Sequence, residues 1–172
     1  MPKVFLRNTF DLKPSTKIEF TQPEIRALKH FDGSIQDLIT VDCFSRLKQG
    51  NSLYNCNYYD SEQKHCSSYA KWEYNGITQY GLIVKFIRVK DKESLIAMKF
   101  RILNFHESLN ISSRYERAFN ICKLDKYFAI VSNNDFSYVC LSVTCLKANC
   151  IFVQIPTMSF GMMTDVFDFE HD

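Results

Sequence analysis

The chain has 172 residues, 46% of them apolar and 23% charged, with a formal net charge of +2. That suffices for one domain with a real core and is too balanced to mark a nucleic-acid binder by charge alone. Five glycines and four prolines exclude a linker or low-complexity chain, and no apolar run approaches a membrane span.

Residues 1–20 read as an arm with one or two short extended pieces. In "FTQPEIRALKHF", Thr21 and Glu24 have capping-box spacing and Pro23 sits in the first turn. Ile25, Leu28 and Phe31 then mark one face of a short helix, which Asp32-Gly33 ends. "SIQDLITVDCFSRLKQGN" suits a second short helix passing into a strand.

From Val41 the signals turn to strands. "SLYNCNYY" alternates loosely, and "DSEQKHCS" is a polar loop. Residues 68–89, "SYAKWEYNGITQYGLIVKFIRV", predict a tight hairpin. Asn75 and Gly76 tolerate the positive φ of a type I′ turn, which sets Tyr74 opposite Ile77, Trp72 opposite Gln79 and Tyr69 opposite Leu82. One face would carry Tyr69, Tyr80, Leu82, Val84 and Phe86, the other Trp72, Tyr74, Ile77 and Ile83. Two apolar faces suit a curled barrel better than a one-sided sheet, and Gly81 suits a bend at a barrel corner.

Lys90 to Glu93 form a turn before the strand "SLIAMKFRIL". The polar run Asn104–Asn120 reads as a long loop. "KYFAIVS" is a strand, Asn133-Asn134-Asp135 a turn, "FSYVCLSVTCL" a strand with a polar bend and "NCIFVQIP" another strand. "DVFDFEHD" reads as an edge strand. The fold expected is mainly β (α+β): a barrel of six or seven short strands over 41–172, a helical N-terminal arm over 1–40 and a long inserted loop.

The seven cysteines are Cys43, Cys56, Cys66, Cys122, Cys140, Cys145 and Cys150. An odd count without an apolar signal core points to a reducing compartment, and several sit among apolar neighbours, where Cys acts as a small hydrophobe. Cys56 with His65 and Cys66, or Cys145 with Cys150, lack the close paired spacing of a zinc site. None of His30, His65, His106 and His171 stands in a nucleophile motif, so a cysteine-dependent enzyme would need a Cys–His pair formed in space. Asp165, Asp168, Glu170 and Asp172 cluster at one end, as solvated tails do, whereas two-metal sites draw ligands from separate rigid elements. No phosphate-binding glycine loop is present. No metal, cofactor or small-molecule substrate is expected from these patterns.

Two binding surfaces are legible. Arg46, Lys48, Lys85, Arg88 and Lys90, with Lys92 beside them, would line a basic groove in which aromatics allow base stacking. Trp72, the only Trp, with Tyr74 and Tyr80 would cage a methylated ammonium, against the plainer reading of core packing.

The order of motifs resembles a bromo-adjacent homology (BAH) domain. Tyr80-Gly81-Leu82-Ile83 matches its aromatic–Ile–Gly strand, and Ala97-Met98-Lys99-Phe100 matches its "V-x-V-x-W-F" strand, with Lys99 in place of the first aromatic. Asp125 to Ser132 and Val143 to Val153 match its last two segments. Phe44-Ser45-Arg46-Leu47-Lys48 and Glu170-His171-Asp172 are similar to C-terminal segments of transposon-encoded proteins. The likeness spans about residues 40–172. It implies a distorted β-barrel that makes protein or chromatin contacts as a non-catalytic, nuclear accessory module. Edge strands and the Asn104–Asn120 loop, with Phe105, Arg114 and Tyr115, would carry the contacts. A direct nucleic-acid-binding barrel and a cysteine-dependent enzyme are the alternatives.

Overall fold

The computed structural model describes residues 9–11, 19–33, 35, 41–57, 68–89, 92–104, 108, 123–154, 156 and 158–165. They are mostly strand, with one helix of ten residues, α1 (Gln22–Phe31). The helix starts where the sequence places it. Glu24 accepts a hydrogen bond from the Thr21 backbone N–H at 2.7 Å, which satisfies one donor at the helix start.

The strands are β1 (Thr9–Asp11), β2 (Asp42–Phe44), β3 (Arg46–Gln49), β4 (Ser52–Asn55), β5 (Tyr69–Tyr74), β6 (Ile77–Val89), β7 (Lys92–Ile102), β8 (Phe128–Ser142), β9 (Leu146–Gln154) and β10 (Phe160–Asp165). β1, β3 and β4 form a small sheet. In the large antiparallel sheet the pairing runs β6-β5-β9-β10-β8-β7 and returns to β6, with β2 added to the far end of β6. The sheet is therefore partly ring-like, in keeping with the doubly apolar hairpin. A 3-10 turn, Val143–Cys145, joins β8 to β9 at the polar bend seen in the sequence. Its Ser142 hydroxyl accepts from the Thr144 N–H.

The hairpin register is the one the turn chemistry dictates, with Tyr74–Ile77, Trp72–Gln79 and Tyr69–Leu82 opposed. Asn75 (φ 52°) and Gly76 (φ 73°) take the positive dihedrals of the type I′ turn. The face assignment needs one correction. A bulge between Ile83 and Lys85 shifts the register against β7 and moves Phe86 to the Trp72 side. Phe86 then packs in one cluster with Trp72, Ile83, Leu95 and Leu141. The opposite faces of the same strands bury Tyr69, Tyr80 and Leu82 with Phe100, Cys150 and Phe152. Tyr69 stacks on Phe152 at 4.9 Å between ring centroids. A third cluster lies under α1, where Leu28 meets Val84, Ile87 and Ile96.

Three further differences from the sequence reading stand out. Asn133 to Asp135 are not a turn between strands but an outward step inside β8, where Phe100 faces Phe136 and Ile102 faces Val131. The Ser132 hydroxyl accepts from the Asn134 and Asp135 N–H groups, which supports the step locally. Residues 160–165, not anticipated as a strand, form β10, paired on both sides. Strands are also more numerous than expected, and β6, β7 and β8 are long. The turn expected over Lys90 to Glu93 is shorter, since Lys92 and Glu93 already belong to β7, paired with Val89 and Arg88. Lys90 and Asp91, the second short helix apart from Ile35, the edge strand expected over 165–172 apart from Asp165, and the Asn104–Asn120 loop apart from Asn104 and Ser108 fall outside the described residues.

Candidate functional site

The β6–β7 ladder runs from Val89–Lys92 to Gly81–Lys99 and stops there. Both strands continue, β6 back to Ile77 and β7 on to Ile102. Beyond Gly81 they diverge, and the gap is a groove of about 380 Å³. Its walls are Ile77–Gln79 of β6, Lys99–Ile102 of β7 and Asp135–Ser137 of β8. Gly81 marks the branch point. A Cβ there would collide with the Met98 carbonyl oxygen and stand 2.6 Å from Trp72 Cη2, so the last closed rung requires a residue without a side chain.

Three large apolar side chains stay wet around this groove, Ile77 at 62%, Ile102 at 46% and Phe136 at 43% exposure. Tyr74, also exposed, stands at the adjoining hairpin tip. Arg101 pairs with Asp135 across the rim at 3.1 Å. Apolar surface gathered in one concave place on a strand scaffold differs from scattered exposed residues, which need no account.

The predicted cage is not assembled. Trp72 is fully buried, and its indole N–H donates to Gln79 Oε1 at 3.0 Å. The ring is enclosed because Trp72 shares its face with Ala70 and Ile83 in the core. Tyr80 lies on the opposite face, half-buried, and Tyr74 is at the tip. Phe105, Arg114 and Tyr115 lie outside the described residues.

The predicted basic strip is also dispersed. Lys85 is 4% exposed. Its ammonium donates to both carboxylate oxygens of Glu24 at 2.7 Å and to the Glu19 carbonyl at 3.1 Å, and sits 5.0 Å from the Phe20 ring centroid. Arg88 is engaged by Glu93 at 3.3 Å and lies over the Phe44 ring. Arg46 is half-buried and Lys48 exposed, both on β3. Lys90 lies outside the described residues.

No family model, curated protein or solved structure matches the chain. The site therefore rests on its own geometry.

Three of the buried thiols are held protonated at neutral pH. Burial pushes Cys140 and Cys150 up to about 12, the latter helped by Asp165 and opposed by Lys71, and burial pushes Cys43 up to about 11. Cys150 Sγ donates weakly to Asp165 Oδ1 at 3.8 Å, and Lys71 pairs with the other carboxylate oxygen. Tyr80 nearby is raised by burial and then by Asp165 and Cys150. Such a cluster holds its thiol protonated, the reverse of an activated nucleophile. Among the described residues no three of His, Cys, Asp and Glu converge as metal ligands, and no helix is long and apolar enough to cross a membrane. His65, Cys66, His106, Cys122, Asp168, Glu170, His171 and Asp172 lie outside the described residues.

The groove has almost no signature in the sequence. Its one available signal was an exposed aliphatic beside the turn, Ile77, and that residue reads equally well as a core position. The divergence of β6 from β7 has no local sequence mark except Gly81.

Proposed function

We propose that the chain is a non-catalytic docking module that binds a protein or chromatin partner. The BAH resemblance adds the setting, an accessory part of a transposon-derived nuclear complex. The observation that carries the docking role is the groove where β6 and β7 part, with Ile77, Ile102 and Phe136 exposed along it. Apolar anchors on a paired scaffold can receive a partner's side chains with little ordering cost. The three raised thiols weigh against the cysteine-enzyme alternative. The engagement of Lys85 and Arg88 weighs against the nucleic-acid alternative.

The test is an array of histone-tail and nuclear-protein peptides probed with the wild-type chain and with Phe136→Asp. Selective binding that the substitution abolishes is the expected result. An array left blank, or bound equally by both proteins, removes the docking role.

A further inference from the structure

The charges that line the groove do not balance. Gly81 and Lys99 oppose each other on the last rung, so they belong to one face of the sheet. By alternation Ile77 of β6 and Arg101 of β7 lie on that same face, and Tyr74 joins them from across the hairpin. Lys99 and Arg101 are successive positions on it, about 7 Å apart along the strand. The lining holds one acid, Asp135, and Arg101 takes it at 3.1 Å. Glu73 of β5 lies on the other face and pairs with Lys147 at 3.6 Å. Among the described residues no acid pairs with Lys99.

Lys99 is half-buried, and its cross-strand neighbours are Gly81 on β6 and Ser137 on β8, neither of them charged. A half-buried ammonium beside a second cation, with no counter-charge of its own, gains from an anion brought from outside. Two cations and one acid leave the lining one positive charge in excess, which one carboxylate cancels. A phosphate group carries nearly twice that charge and is met best by arginine forks, and the guanidinium here is already engaged by Asp135. Next to Lys99 on the same face, Ile77 presents the most exposed large apolar side chain among the described residues.

We infer that Lys99 selects the partner: it receives a carboxylate side chain of a protein ligand, while a large apolar side chain beside that carboxylate packs on Ile77. This rests on the docking role and names the residue that chooses and the chemistry it chooses. Apolar contact on Ile77 supplies affinity for many sequences, and the charge on Lys99 separates acidic ones from neutral and basic ones.

The probe is a set of short blocked peptides of glycine and serine around one phenylalanine, with glutamate, glutamine, lysine or phosphoserine beside it. Titration at low salt, followed by NMR on the Ile77 methyl signals, reads affinities well into the weak range. The glutamate peptide should bind about three- to tenfold more tightly than the glutamine peptide, and the lysine peptide should bind most weakly. That margin should shrink as salt rises. Lys99→Gln should bring the glutamate and glutamine peptides to equal affinity, and Lys99→Arg should keep the margin. The urea midpoint should not fall in Lys99→Gln, because no acid in the chain depends on that ammonium.

Equal binding of the glutamate and glutamine peptides by the wild-type chain, a margin that survives Lys99→Gln, or no shift at Ile77 with any peptide overturns the inference. A phosphoserine peptide bound about tenfold more tightly than the glutamate one assigns the anion to a phosphate and overturns the carboxylate. A urea midpoint that falls in Lys99→Gln gives Lys99 a structural duty and overturns its role in selection. Array binding that Phe136→Asp abolishes and Lys99→Gln leaves unchanged removes this inference and leaves the docking role standing.

Discussion

Strands β6 and β7 are partners along their length in sequence but end in two opposite conditions. From Val89 to Gly81 they pair with a single bulge, α1 packs over Val84, Ile87 and Ile96, and their buried charge, Lys85, is neutralised in place. From Tyr80 to Ile77 they separate, and large apolar side chains face water. The covered half offsets the burial of an ammonium by a partner 61 residues away in sequence. The open half leaves large apolar side chains without cover. Such a contrast within one pair of strands separates what holds the fold from what is available to act.

The largest effect should come from breaking the covered half. Glu24 is 1% exposed and does two jobs, capping α1 and neutralising Lys85. Glu24→Ala leaves a buried ammonium without its counter-charge and should cost about 3–5 kcal/mol in urea unfolding. The double variant Glu24→Met, Lys85→Met removes both charges and should recover most of that loss, because an apolar pair of similar volume carries no desolvation penalty. A double variant as unstable as the single would show that the helix cap, and not the charge, dominates. A cap alone accounts for about 1 kcal/mol.

How much of this was legible in the sequence differs between the two halves for physical reasons. Capping and turn chemistry are local, so Thr21 with Glu24 and Asn75 with Gly76 could be read directly, the latter to the exact register. Lys85 was misread as a surface cation because period-2 alternation cannot show a bulge. The extra residue between Ile83 and Lys85 changes which side chains face which cluster. Nor does any local pattern connect Lys85 to Glu24. Asn133 to Asp135 carry turn residues for a real reason, a sharp backbone change, yet the sequence cannot say whether the chain reverses there or steps outward and continues. Trp72 illustrates the same limit: an aromatic beside a turn suits a cage or a core equally, and the neighbours that bury it come from distant strands.

A smaller effect should appear in alkali. Cys43 and Cys140 belong to the cluster under α1 and Cys150 to the cluster on the other side of the ring. Their ordinary value is 9.0, and burial holds them at about 11 for Cys43 and about 12 for the other two. The unfolded chain therefore releases these protons before the folded chain does. Stability from this source is complete below pH 9.0 and is lost as pH rises toward about 12. At about pH 10 each thiol should cost about 1 kcal/mol. Urea midpoints should stay flat through neutral pH and then fall, and Cys140→Ala should reduce the fall while lowering the plateau through the cavity it leaves. A midpoint insensitive to pH above 9.0 would mean that the thiols ionise without unfolding.

The smallest effect belongs to the open half and is informative because it should be small. Arg101 and Asp135 meet at 3.1 Å with side chains 68% and 57% exposed. An ion pair so wetted gains little Coulomb energy and loses side-chain freedom, so Arg101→Ala should shift stability by no more than about 0.5 kcal/mol. The same substitution removes one of the two cations lining the groove and should weaken any acidic peptide held on the array. Asp135→Asn, by releasing Arg101 from its internal partner, should strengthen acidic peptides on the same array instead. Opposite changes in binding with no change in unfolding would place the pair among the groups that choose a partner. A stability loss like that of Glu24→Ala would mean that the two halves of β6 and β7 are one mechanical unit, and the distinction between holding and acting would fail at the groove itself.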